Sequence, residues 1–98
     1  MTTLVHVVLI EWASPIDGVE LSRLIDERLR GLPGVLSIAE GASVSPEGLE
    51  GGFDWGMVVT FNGAAARDAY LVDPDHAVVA RFLTANAARV TVFDLAGS

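Results

Sequence analysis

The hydrophobic pattern changes period along the chain, and each change marks an element. Over residues 3–12 nearly every position is apolar. With the two-residue period of a strand, Leu4, His6, Val8, Ile10 and Trp12 share one face. Val5, Val7, Leu9 and then Glu11 share the other. Both faces are apolar, which predicts a strand covered on both sides. The period then becomes helical: Leu21, Leu24, Ile25, Leu29 and Leu32 make one stripe. Asp17 suits its N-cap, with Glu20 completing a capping box. Arg23 with Glu27, and Asp26 with Arg30, have the i,i+4 spacing of surface ion pairs. Gly31 and Pro33 close the helix.

A second strand is predicted over residues 35–44, with Gly41 as the site of a bulge. The Pro- and Gly-containing stretch 45–52 reads as a loop. Residues 53–61 return to alternation, with Phe53, Trp55, Met57, Val59 and Phe61 on one face. Asn62-Gly63 separates this strand from a short helix over 64–71. Asp73 and Pro74 have the chemistry of an N-cap and a first helical residue. A further helix then runs through His76, Val79, Ala80 and Leu83, and residues 90–95 form a last strand. The order βαββααβ is the split βαβ pattern with its second helix broken in two. It predicts one α+β, ferredoxin-like domain over residues 1–98. In such a sheet the helices cover one face only. The second apolar face of the first strand therefore calls for another sheet, and a second copy of the chain is the simplest source.

Composition strengthens this expectation. Hydrophobic residues make up 51% of the 98 positions and charged residues 19%. So apolar a small domain is expected to have some of its surface covered by a partner or lining a cavity. The net charge of −7 leaves six basic residues, all arginine and widely spread. That balance argues against nucleic-acid and anionic-membrane partners. The absence of cysteine excludes disulfides, thiolate metal sites and cysteine nucleophiles. No run approaches the ~20 apolar residues of a membrane span, and no secretory leader is evident. A cytoplasmic location is the expectation.

Chemistry concentrates in one segment, Tyr70-Leu71-Val72-Asp73-Pro74-Asp75-His76. Tyr70 ends one predicted helix and His76 lies in the first turn of the next. The break between them is placed to turn both side chains into one cavity. Imidazole suits proton transfer near neutral pH, and a phenol donates or orients a hydrogen bond. The positive end of the helix disfavours imidazolium, which leaves His76 neutral and able to act as a base. The plain alternative is a half-buried aromatic beside a first-turn polar residue. His6 interrupts an apolar strand face. It reads either as a hydrogen-bonded core histidine or as a polar group in an apolar ligand pocket. Trp12, Trp55, Met57 and Phe61 are core residues or, if a pocket exists, its wall. The two histidines lack any H-x-H or H-x-x-x-H spacing, so no metal site is expected. No Gly-rich phosphate loop or G-x-S-x-G elbow is present, so no cofactor is expected.

These residues resemble the stress-responsive dimeric α/β-barrel (Dabb) family over nearly the whole chain. The likeness rests on Val5-His6-Val7-Val8-Leu9, on Leu32-Pro33-Gly34-Val35 and on the strand Phe53-Asp54-Trp55-Gly56-Met57-Val58-Val59-Thr60-Phe61. It continues in Ala69-Tyr70-Leu71-Val72-Asp73-Pro74-Asp75-His76 and the closing Val92-Phe93-Asp94. The resemblance implies a dimeric barrel of two ferredoxin-like sheets with helices outside. It also implies similarity in layout to a plant polyketide cyclase of the family, which closes a linear polyketide by aldol condensation without a cofactor. By that likeness His76 is the base, Tyr70 its assistant, and His6 a pocket residue. Trp55 and Asp73 stand where that cyclase has histidines. The expected reading is a small-molecule binder or a cofactor-independent enzyme, a cyclase or lyase if an enzyme, for a small aromatic or polyketide-like ligand. That ligand would touch His6, Trp12, Trp55, Met57 and Val79. A non-enzymatic stress-response protein and a cofactor-free monooxygenase are the competing readings.

Overall fold

The computed structural model describes residues 2–97. Seven elements follow one another: β1 (Leu4–Trp12), α1 (Gly18–Arg28), β2 (Val35–Ala42), β3 (Trp55–Phe61), α2 (Ala64–Leu71), α3 (Pro74–Asn86) and β4 (Ala87–Ala96). The strands form one antiparallel sheet in the order β2-β3-β1-β4. This is the ferredoxin-like arrangement that the sequence predicts.

Alternation decides which face the helices take. His6, Val8 and Ile10 of β1 are buried with their register partners Val59, Met57 and Trp55 of β3. Leu21, Ile25 and Leu29, with Tyr70, Val79 and Leu83, close over that face and complete the core. The opposite face stays open. It presents Val5, Val7 and Leu9 beside Val58 of β3 and beside Phe93 and Leu95 of β4. Phe93 is 61% exposed there. The strand that reads as two-faced thus has one face in the core and one uncovered in the single chain.

The helix signals act largely as written. The Asp17 carboxylate accepts hydrogen bonds from the Val19 and Glu20 amides. Arg23 pairs with Glu27 at 2.7 Å and Arg30 with Asp26 at 2.9 Å. The capping box is only half made, because the Glu20 carboxylate is held by Arg23. A charge-assisted bond to a guanidinium outcompetes the reach back to a cap amide. The register break in β2 falls between Val35 and Ser37, not at Gly41, which pairs directly with Gly56. Leu36 is the residue left over, and it is exposed.

One glycine is required by space as well as by backbone. Gly34 opens β2 with φ of 81°, and a Cβ there would lie 2.3 Å from the Cβ of Ala66 on α2. The chain enters the sheet by passing against that helix. Gly34→Ala is expected to lower stability by about 2 kcal/mol or more, from the left-handed backbone and the overlap together. The urea midpoint at unchanged m-value reads this directly.

Candidate functional site

The site begins with a register. Antiparallel pairing sets His6 on β1 directly opposite Asp94 on β4. His6 is the one buried polar or charged side chain among the described residues, at 3% exposure. Its Nδ1 lies 2.5 Å from Asp94 Oδ1. A carboxylate acceptor fixes the proton on Nδ1, which leaves Nε2 as the other working nitrogen of the ring. The second Asp94 oxygen accepts from Arg67 Nη1 at 2.6 Å. Burial pushes the Asp94 carboxyl upward, but the Arg67 and His6 hydrogen bonds outweigh it and hold the group below its ordinary value.

Helix α2 delivers two of these groups together. Arg67 and Tyr70 are three residues apart and share one helix face. Arg67 reaches the β4 edge, while Tyr70 enters the core against Phe61 and His6, at ring-centroid distances of 4.9 and 5.9 Å. The helix then stops. Asp73 donates its amide to the Tyr70 carbonyl at 3.1 Å and caps α3 through its own carboxylate, which accepts from the Asp75 amide. Pro74 starts α3, and His76 comes to rest 4.7 Å from the Tyr70 ring. The Asp75 side chain ties this turn to α1 through Arg28 at 3.0 Å. The broken helix therefore brings Tyr70 and His76 face to face.

These groups border a cavity of about 260 Å³ between the sheet and the α2–α3 pair. His6, Tyr70, His76 and Asp94 supply its polar wall, and Val8, Met57, Leu71, Val79 and Leu83 much of the rest. The Tyr70 hydroxyl is buried and has no hydrogen-bond partner among the described residues. Burial raises the phenol to about 12, so it remains a donor at neutral pH. His76 is shifted the other way. Burial lowers its proton affinity, the charge on His6 adds to this, and Asp73 opposes it. The cavity thus borders an imidazole of lowered proton affinity and a tyrosine whose phenol has no partner, among apolar side chains, an arrangement suited to acid–base chemistry. Among the described residues no group of three or more His, Asp or Glu side chains is placed to hold a metal ion.

Of the residues singled out by sequence, His6, Met57, Tyr70, His76 and Val79 meet at this cavity. Trp12 and Trp55 do not line it. Trp55 shares the sheet face with Met57, which lines the cavity, but sits one step farther along that face, roughly 7 Å away along the strand. It is buried against Trp12 at 5.7 Å and donates its indole N–H to Glu40 at 3.2 Å. It therefore closes the far end of the core and leaves the cavity unfilled. Asp94 and Arg67 escape a sequence reading, since their partners lie 88 and 27 residues away. The available signal is Asp94 itself, an acid on the same face as Val90 and Val92 in an otherwise apolar strand.

A family model described as the stress responsive A/B barrel domain, Dabb, matches residues 4–96. A dimeric ferredoxin-like protein of unknown function from Jannaschia sp. CCS1 superposes with a TM-score of 0.82 at 27% identity, covering 95% of this chain and 97% of that one. A second dimeric ferredoxin-like protein of unknown function, from Thermobifida fusca, gives 0.83 at 18% identity over 97% and 91%. A hydroxynitrile lyase from Passiflora edulis gives 0.81 at 17% identity over 98% and 94%. Comparison with curated protein sequences gives no match.

The lowered His76 affinity makes stability depend on pH. Below the ordinary value of 6.5 the unfolded chain binds more protons than the folded one. The contribution of this group is whole above that pH and is lost as the pH falls through the folded value. The urea midpoint is expected to drop between about pH 7 and about pH 5, and His76→Gln is expected to flatten that slope.

Proposed function

This chain belongs to the stress responsive A/B barrel domain family, and we propose that it is a homodimer whose cavity binds a small organic molecule and moves a proton on it without a cofactor. The observation that carries this reading is the cavity bordered by Tyr70 and His76, with the Tyr70 hydroxyl a buried donor that has no partner among the described residues. Leaving such a group unpaired costs about 1–3 kcal/mol. A ligand oxygen offsets that cost, and the same contact polarises the ligand. The neutral imidazole of His76 beside it is the matching base.

The chemistry follows from that pair. His76 removes a proton from the carbon next to a ligand carbonyl, and the released electron pair moves onto the carbonyl oxygen. The Tyr70 O–H donates to that oxygen as its negative charge grows. The enolate carbon then attacks a second carbonyl carbon of the ligand and the new alkoxide takes the proton back from the imidazolium, which is the reaction class of a cyclase; run in reverse, with His76 first taking the hydroxyl proton, it is that of a lyase. His6, held by Asp94, keeps a polar nitrogen at the floor.

The open sheet face supports the homodimer. Val5, Val7, Val58, Phe93 and Leu95 form a continuous apolar surface across three strands. The Jannaschia and Thermobifida proteins of the same fold are described as dimeric. Two such faces packed together would form a closed double sheet with the helices outside.

Light scattering on a sizing column is expected to give twice the 10.3 kDa chain mass, and Val7→Glu with Phe93→Glu to give a single chain mass. Proton transfer is read by wash-in of deuterium from heavy water into the methyl group of acetophenone. The protein is expected to accelerate it and His76→Ala to slow it by about 10²-fold or more. Exchange no faster than in an equal concentration of free imidazole would remove the catalytic part of the reading and leave a binding protein.

A further inference from the structure

We propose that this cavity selects uncharged carbonyl compounds of about one ring with a short side chain, and that Asp94 is the residue that turns carboxylates away. The inference rests on the reading of the cavity as a ligand site and adds which ligands it admits.

Size sets the first limit. The volume is about 260 Å³. A cavity of ~150 Å³ already holds benzene, and pockets for drug-sized molecules begin near ~300 Å³. A single ring with a few further atoms matches this volume.

Charge sets the second. The anionic group on the wall is Asp94. The cation behind it, Arg67, holds Asp94 Oδ2 through Nη1 at 2.6 Å and Asp68 Oδ1 through Nε at 2.8 Å. One guanidinium facing two carboxylates has no surplus positive charge for a ligand. Burial and His6 lower the proton affinity of His76, which makes it a poor counter-charge for an anion. A carboxylate entering this enclosure would lose its water, meet apolar side chains and face Asp94.

Hydrogen bonding sets the third. The Tyr70 hydroxyl is an unsatisfied donor. Its neighbour Thr84 already donates to the Ala80 carbonyl at 2.9 Å. The ligand must therefore bring an acceptor for Tyr70, which a hydrocarbon lacks and a ketone or aldehyde has.

Three probes of similar size separate these terms: acetophenone, ethylbenzene and benzoate, each titrated into the intact protein at neutral pH and followed by NMR. Acetophenone is expected to bind about tenfold tighter than either of the others, with the largest shifts at Tyr70, His76 and Val79. Tyr70→Phe is expected to erase the advantage over ethylbenzene. Asp94→Asn is expected to move the benzoate-to-acetophenone affinity ratio about tenfold toward benzoate, while Asp94→Glu retains the exclusion. Equal wild-type affinities for acetophenone and benzoate would overturn the charge selection. Equal affinities for acetophenone and ethylbenzene would overturn the role of Tyr70. Both results would leave the ligand site itself standing. Binding of none of the three would overturn the ligand site, and the selectivity with it.

Discussion

A strand that is apolar on both faces, set at the centre of a sheet with helices on one side, is the constraint from which this molecule is built. β1 pairs with β3 on one edge and β4 on the other, so its alternation imposes faces on both neighbours. One row, His6, Val8 and Ile10, is committed to the core. The other row, Val5, Val7 and Leu9, is left for something outside the single chain. Because the period is two, a slip of one residue would expose the core row and bring His6 out of reach of the helices. The His6–Asp94 pair works against such a slip, since it forms only when residues 6 and 94 are opposite each other.

The same pair ties the fold to the site. A histidine buried at the middle of a sheet is costly unless its ring nitrogens are satisfied. Asp94 satisfies one, and Arg67 balances the carboxylate, so the cost is spread across β1, β4 and α2. This chain of three differs from the ion pairs on α1. Those are exposed, and solvent screening leaves each worth little. Losing Asp94 would leave a buried imidazole and a half-buried guanidinium without their shared partner, so its weight falls on the site as much as on stability. The broken helix between Tyr70 and Pro74 serves the other wall. An unbroken helix through this region would send residues 70 and 76 to different faces, since six residues are nearly two turns minus a third of a turn. The stop at Tyr70 and the restart at Asp73 let both rings meet.

Much of this is legible in the sequence because it is written in short-range chemistry. Alternation gives β1 and β3, the Asp17 and Asp73 caps give two helix starts, and Pro74 marks the break that positions His76. Features that depend on how distant segments align are not legible. The irregularity in β2 sits at Leu36, between the Val35–Phe61 and Ser37–Thr60 pairs, whereas Gly41 has an ordinary partner and needs no bulge. Trp12 and Trp55 share a face with His6 and Val59, and alternation alone cannot say how far along the strands a cavity extends. Asp94 is visible as an intruder in an apolar strand, but its role appears only once β4 lies beside β1.

The hydroxyl of Tyr70 shows where this architecture departs from what stability alone would favour. The ring packs against Phe61, His6 and His76, and a phenylalanine would keep those contacts. It would also remove an unpaired buried donor, a change that is neutral or stabilising where both polar partners are absent. The molecule instead carries the donor at the edge of an empty volume and sets a neutral base against it. Groups left unsatisfied within an otherwise well-paired core are the places where a fold is built for something other than its own stability. Here that group is the Tyr70 hydroxyl, set beside His76, whereas the indole of Trp55 donates to Glu40 and Nδ1 of His6 pairs with Asp94. The contrast within one small core is why the proposed ligand site falls at this cavity.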